Sequence, residues 1–147
     1  MRHRELVVLR DTRERDPWEF GCRTLRRSLR YGDYTARGLE RSLTVERKSA
    51  PDLALSLSSG LERLCRLFAG AAEDKVRVAL VVECSWREAE EALRRYSPAL
   101  SLKRRAAQLF MLTGAIPLFM GSRLRAVAFT TALFEKALEL ERRRLVQ

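Results

Sequence analysis

The stretch Leu43-Thr44-Val45-Glu46-Arg47-Lys48-Ser49-Ala50-Pro51-Asp52 changes from one kind of secondary structure to another along its length. Leu43, Thr44 and Val45 are residues that suit a pleated, half-buried surface, so 43 to 48 reads as a strand. Side chains alternate along a strand, which puts Glu46 and Lys48 on one face and Arg47 on the other. Ser49 then stands where an N-cap belongs, Asp52 follows three residues later, and Pro51 falls in the first turn, where its missing N–H costs little. A strand that passes directly into a helix predicts an α/β fold.

Downstream, Leu53, Leu57, Leu61, Leu64 and Phe68 recur at helical spacing, with Gly60 as a break between two helices. Residues 76 to 83, Val-Arg-Val-Ala-Leu-Val-Val-Glu, form the most apolar strand and end in a carboxylate. Ser85-Trp86-Arg87-Glu88 is a capping box that opens a helix to about Tyr96, and Pro98 stops it. Residues 101 to 113 read as helix, Ile116 to Met120 as a short edge strand, and 122 to 144 as a long helix. That last helix has Leu124, Val127, Thr131, Phe134 and Leu138 on one face and Arg142, Arg143 and Arg144 at its end, where they complement the dipole. Upstream, residues 5 to 11 read as a mostly buried strand, Pro17 and Gly21 break the chain, 22 to 30 suits a partly exposed strand, and Gly32 turns it. The order of elements predicts an α/β sandwich around a mixed sheet.

The 147 residues suffice for a single domain with a proper core. No apolar run approaches the roughly 18 to 20 residues of a membrane helix, so a soluble, cytoplasmic, nucleoid-associated protein is expected. Cys22, Cys65 and Cys84 are odd in number and far apart, and are expected to be reduced packing residues. The lone histidine, His3, sits next to the N-terminus, which excludes Ser-His-Asp, Cys-His and histidine-based metal chemistry. Any catalysis must come from carboxylates, lysine and arginine. The net charge of +10 suits a phosphate-rich partner, although 25 of the 29 basic residues are Arg, so a solvated basic surface explains the charge too.

Three segments carry carboxylates at strand ends or turns: Asp11-Thr12-Arg13-Glu14, Gly32-Asp33-Tyr34 and Glu46 to Asp52. Glu46 and Lys48 alone would pass as an exposed ion pair. With Asp33 on the same face, two carboxylates can share a hard cation such as Mg²⁺, which keeps waters and accepts phosphate oxygens. Asp52 is either a site acid or the capping partner of Ser49; Glu83 either joins the site or leads into the next turn; Arg13 either holds a phosphate or pairs with Asp11 or Glu14. Trp18 and Trp86 are read as packing anchors.

The order DxRE, GDY, ERKxxxD resembles the nuclease domain of the XPF-type structure-specific endonucleases, within the PD-(D/E)xK superfamily, over roughly residues 5 to 100. The resemblance implies a restriction-endonuclease-like three-layer sandwich, a central mixed sheet flanked by helices. It also implies Mg²⁺- or Mn²⁺-dependent cleavage of branched, flap or junction DNA, in repair or recombination. Asp33 and Glu46 would bind the metal, Lys48 would be the catalytic lysine, and Asp11 and Glu14 would be supporting acids, with Arg13, Arg47 and Arg63 against DNA. Where relatives have Gly-Arg-Leu and a nearby glutamine, this chain has Gly60-Leu61-Glu62-Arg63-Leu64. No helix-hairpin-helix or helicase part is seen, so a stand-alone prokaryotic or phage form is expected. The rival reading is an inactive DNA-binding scaffold of the same fold. The apolar stretch 105 to 120 suits either a homodimer contact or an internal core.

Overall fold

The computed structural model describes residues 5 to 146; His3 lies outside them. The elements run β1 (Val7–Asp11), β2 (Arg23–Arg27), β3 (Tyr34–Ala36), β4 (Leu43–Lys48), α1 (Ala50–Leu57), α2 (Leu61–Glu73), β5 (Arg77–Val82), α3 (Trp86–Tyr96), α4 (Leu102–Thr113), β6 (Leu118–Phe119) and α5 (Arg123–Val146). They form one six-stranded sheet in the order β2-β1-β3-β4-β5-β6. The pairs β1·β2, β4·β5 and β5·β6 are parallel, while β1·β3 and β3·β4 are antiparallel, so the sheet is mixed as the element order predicts.

Strand alternation sorts the core into two faces. On one, Leu80 and Val82 of β5 pack under α1 to α4 through Leu53, Leu57, Leu64, Phe68, Leu93 and Leu109. On the other, Val8, Tyr34, Ala36, Leu43, Val45 and Val81 pack against Ala126 and Phe134 of α5. The result is the helix-sheet-helix sandwich anticipated from the motifs. The helix caps also agree: Ser49 Oγ accepts the Asp52 N–H at 3.3 Å, and Ser85 with Glu88 closes a reciprocal capping box. Gly60 separates α1 from α2. No described helix is long and apolar enough to cross a membrane.

Three details differ from the sequence reading. A three-residue strand, β3, follows the Gly32 turn where no strand was expected before residue 43; it is too short to show a period of two. Leu124 was expected on the packed side of α5, yet it is 81% exposed, and Ala126, Thr130 and Phe134 are the buried residues of that helix. Trp86 is 40% exposed, edge-on to Phe119, whereas Trp18 is fully buried and stacked on Tyr34 at 5.1 Å between ring centres.

Candidate active site

The acids of the three motifs meet through backbone pairing. Asp11 N–H donates to the Asp33 carbonyl at 2.8 Å, and Asp33 N–H donates to the Val45 carbonyl at 2.8 Å. With Arg10 opposite Tyr34 and Tyr34 opposite Val45, residues 11, 33 and 46 form one row across β1, β3 and β4. Asp33 Oδ2 further accepts the Arg47 N–H at 2.8 Å, which fixes the Asp33 carboxylate beside Glu46. Gly32 makes this approach feasible. Its φ is +73°, and a Cβ there would lie 2.9 Å from both Thr44 Oγ1 and the Val45 carbonyl. Tyr34 points to the opposite face, where its hydroxyl accepts the Trp18 N–H at 2.7 Å and anchors the motif.

Lys48 lies two residues from Glu46 on the same face, its Nζ 3.4 Å from Glu46 Oε1. Burial, and next the charge of Glu46, push the Asp33 carboxyl up to about 7; the Arg47 N–H and Lys48 oppose the rise only in part. Burial also raises the Glu46 carboxyl, against the pull of Lys48. Two acids thus sit side by side, poorly hydrated, with one ammonium group to balance them. Such a pair invites further positive charge.

Among the described residues no group of three or more His, Cys, Asp or Glu side chains is arranged to hold a metal ion. Two carboxylates are nonetheless enough for Mg²⁺, which keeps most of its water and is commonly held by one or two protein acids plus phosphate oxygens. The donor set is hard oxygen throughout, and the two carboxylates have one ammonium, Lys48, beside them. Asp33 and Glu46 therefore fit such an ion.

The remaining motif residues behave differently. Asp11 is 2% exposed and both of its oxygens are occupied: Oδ1 by the Leu29 N–H at 2.9 Å, Oδ2 by Arg13 Nε at 2.8 Å and the Arg13 N–H at 3.2 Å. Burial works to raise its pKa, but these hydrogen bonds outweigh it and hold the carboxyl below its ordinary value. Asp11 belongs to the row and organises the 27 to 31 loop. Glu14 Oε1 accepts from Arg47 Nη1 at 3.2 Å, while its charge adds to the rise at Asp33 and Glu46.

Arg47 was expected against DNA. Instead its side chain is 7% exposed and held by Glu83 at 2.8 and 2.9 Å, Glu14 at 3.2 Å and Asp16 at 3.1 Å, with its guanidinium 5.9 Å from the Trp18 ring centre. The alternation that puts Glu46 and Lys48 on one face sends Arg47 to the other, where its guanidinium is taken up by carboxylates. Glu83 shares that face. It neither joins the row nor merely leads into a turn: it also accepts from Trp18 Nε1 at 2.6 Å. Arg13, 72% exposed, pairs with Asp11 and donates to the Leu29 carbonyl at 3.1 Å; it feels Asp33 and Glu46 as well. Arg63 is exposed on α2, with no ion pair among the described residues, and Asp52 is an exposed first-turn residue of α1 whose N–H, not its carboxylate, bonds the Ser49 cap. The sequence reading missed Asp16 and Arg123, which clamp each other at 2.8 Å across 107 positions; no local pattern marks such a pair.

No family profile and no curated protein sequence matches the chain. Solved structures do. The XPF from Aeropyrum pernix superposes with a TM-score of 0.66 at 24% identity, over 96% of this chain and 70% of its own. The same archaeal XPF in complex with DNA gives 0.64 at 24% identity, over 92% of this chain and 66% of its own. The three-layer architecture and these superpositions show that this protein shares the fold of that XPF.

Proposed function

We propose that the protein is a metal-dependent DNA endonuclease that hydrolyses phosphodiester bonds, with branched, flap or junction DNA as substrate. The observation that carries this reading is the buried Asp33–Glu46 pair beside Lys48, with more negative charge than its neighbours balance. The XPF fold and the net charge of +10 support a nucleic-acid substrate.

Asp33 and Glu46 would hold Mg²⁺ or Mn²⁺ at the rim of the row. When bound, such an ion polarises a phosphoryl oxygen and acidifies a coordinated water. Lys48 has three donors and no acceptor, and its ion pair with Glu46 keeps the ammonium at the acids. From there it can orient the attacking water or stabilise charge that develops on the phosphate. Gly32 sets Asp33 in place, and Arg13 supplies an exposed guanidinium beside the acids for the phosphate backbone. A second expectation concerns assembly: Phe110, Met111, Leu112 and Ile116 are each exposed rather than taken into the core, which supports a homodimer.

Purified protein incubated with flap, fork, junction and linear DNA, in Mg²⁺, in Mn²⁺ and in EDTA, tests the main reading. Endonucleolytic products in either metal and none in EDTA are expected. Binding of every substrate with cleavage of none would make the protein an inactive scaffold. Sedimentation equilibrium checks the dimer.

A further inference from the structure

The outer edge of β5 is only partly covered. That strand has six residues, but β6 pairs only with Val81 and Val82, so the edge from Arg77 to Leu80 has no neighbouring strand on that side. Alternate residues of a parallel strand turn their backbone groups to opposite sides. Arg77 N–H donates to the Ser42 carbonyl and Glu83 N–H to the Lys48 carbonyl, each at 2.9 Å, so the odd-numbered residues face β4. The even-numbered ones face outward, as Val82 does when its carbonyl accepts the Met120 N–H at 3.0 Å. Val78 is therefore left with an N–H and a C=O that no strand, loop or side chain among the described residues takes up.

Val78 lines a groove of about 780 Å³. Both helical layers of the sandwich wall it with apolar side chains: Phe68 and Ala115 on one side, Leu133, Ala137 and Leu140 of α5 on the other. Around the mouth stand Lys75, Arg77, Lys136 and Arg144 with one lining acid, Glu141. Lys136 is taken by Glu139 at 2.6 Å, whereas Lys75, Arg77 and Arg144 form no ion pair among the described residues.

An unpaired N–H and C=O on a strand edge match another peptide backbone. Apolar walls on both sides suit an added strand, whose side chains alternate between the two faces. The basic mouth calls for acids. We propose that the groove binds an extended segment of a partner protein, about four apolar residues flanked by acidic ones, which adds to the free edge of β5. Nucleic acid offers neither the backbone pair nor the apolar side chains. β5 also stands between the groove and the Asp33–Glu46 pair, so occupation of one leaves the other open. A second copy of this chain would have to offer its other edge strand, β2, whose Arg23, Arg26 and Arg27 meet the basic mouth with like charge.

Ten-residue synthetic peptides provide the test. One pool has four central positions drawn from Val, Ile, Leu and Phe with three acidic residues on each side; a second pool has lysines in place of the acids. Fluorescence polarisation shows saturable binding of the acidic pool, with the lysine pool at least about tenfold weaker. Hydrogen exchange followed by NMR reads the backbone contact: the Val78 amide exchanges fast in the free protein and is protected when the acidic pool is bound. Ala137→Phe fills the groove and weakens binding at least about tenfold. Arg77→Gln with Arg144→Gln weakens it about fivefold, the scale of two exposed ion pairs. Lys103→Gln on α4 changes nothing. Melting curves confirm that each variant is folded. An acidic pool that does not bind, or that binds without protecting Val78, overturns the proposal. Protection of Val78 by duplex DNA instead gives the groove to nucleic acid and overturns it too. So does a dimer in sedimentation that Ala137→Phe dissociates, which gives the groove to a second copy.

Discussion

The same ends of β4 and β5 carry charge on both faces of the sheet, and the two faces solve the problem of burying it in opposite ways. On the α5 face, Arg47 is enclosed by Glu14, Asp16 and Glu83, Trp18 Nε1 supplies a further hydrogen bond, and Arg123 closes the far side. Burial raises the Glu83 carboxyl, but the Arg47 and Trp18 hydrogen bonds outweigh it and leave the group below its ordinary value. On the other face, Asp33 and Glu46 share one lysine and both are raised. A satisfied cluster holds the fold together. An unsatisfied one is maintained by the rest of the fold, and under the proposed function it would take the cation.

The comparison breaks first at its functional side. Asp33→Asn or Lys48→Ala should lower metal-dependent cleavage by about a thousandfold, on the scale of removing a charge-stabilising group from an active site. Asp33→Asn should leave the melting temperature unchanged or raise it, since it removes one of two repelling charges. A clear fall in melting temperature would mean that the pair is structural after all.

Arg47→Ala is the reciprocal experiment. It strands Glu83 and Glu14 without their cation, and breaking a buried pair from one side costs about 3–5 kcal/mol, readable in urea unfolding. Adding Glu83→Gln should recover part of that loss. If Arg47→Ala instead weakened DNA binding with stability intact, the assignment of the two faces would be reversed.

Acidity separates the faces more gently. Asp33 titrates near 7 in the folded chain and from a starting value of 3.8 without the fold. Between those values the native state holds the extra proton, so the stability this group contributes is full below about pH 3.8 and is lost as pH rises toward 7. Glu46 shifts in the same direction. Glu83 has the opposite sign: its contribution is present above its ordinary value and lost as pH falls through its lowered one. Unfolding free energies in EDTA from about pH 4 to about pH 8 should therefore decline less steeply for Asp33→Asn than for the native chain. Mg²⁺ affinity should tighten over the same range, because the ion competes with that proton. The smallest effect belongs to Arg63, exposed on α2. Arg63→Ala should reduce the slope of log affinity for DNA against log salt by about one, as one phosphate contact does.

The strand-to-helix step at 43 to 52 was legible in the sequence because every interaction behind it is local. Alternation puts Glu46 with Lys48, Ser49 caps the next helix, and apolar runs mark β1 and β5. The GDY and DxRE segments could be singled out by their residues, but their meeting could not be computed from them. β3 shows no period, and Asp33 reaches Glu46 only through a ladder that Gly32 permits. Tertiary structure alone decided that Arg47 is enclosed, that Asp11 spends its oxygens on Leu29 and Arg13, and that the Thr44 hydroxyl is buried against Gly32 without a partner among the described residues. The reason is physical: periodicity and capping act over a few residues, whereas burial and ion pairing are set by chain segments that meet only once the sheet has formed.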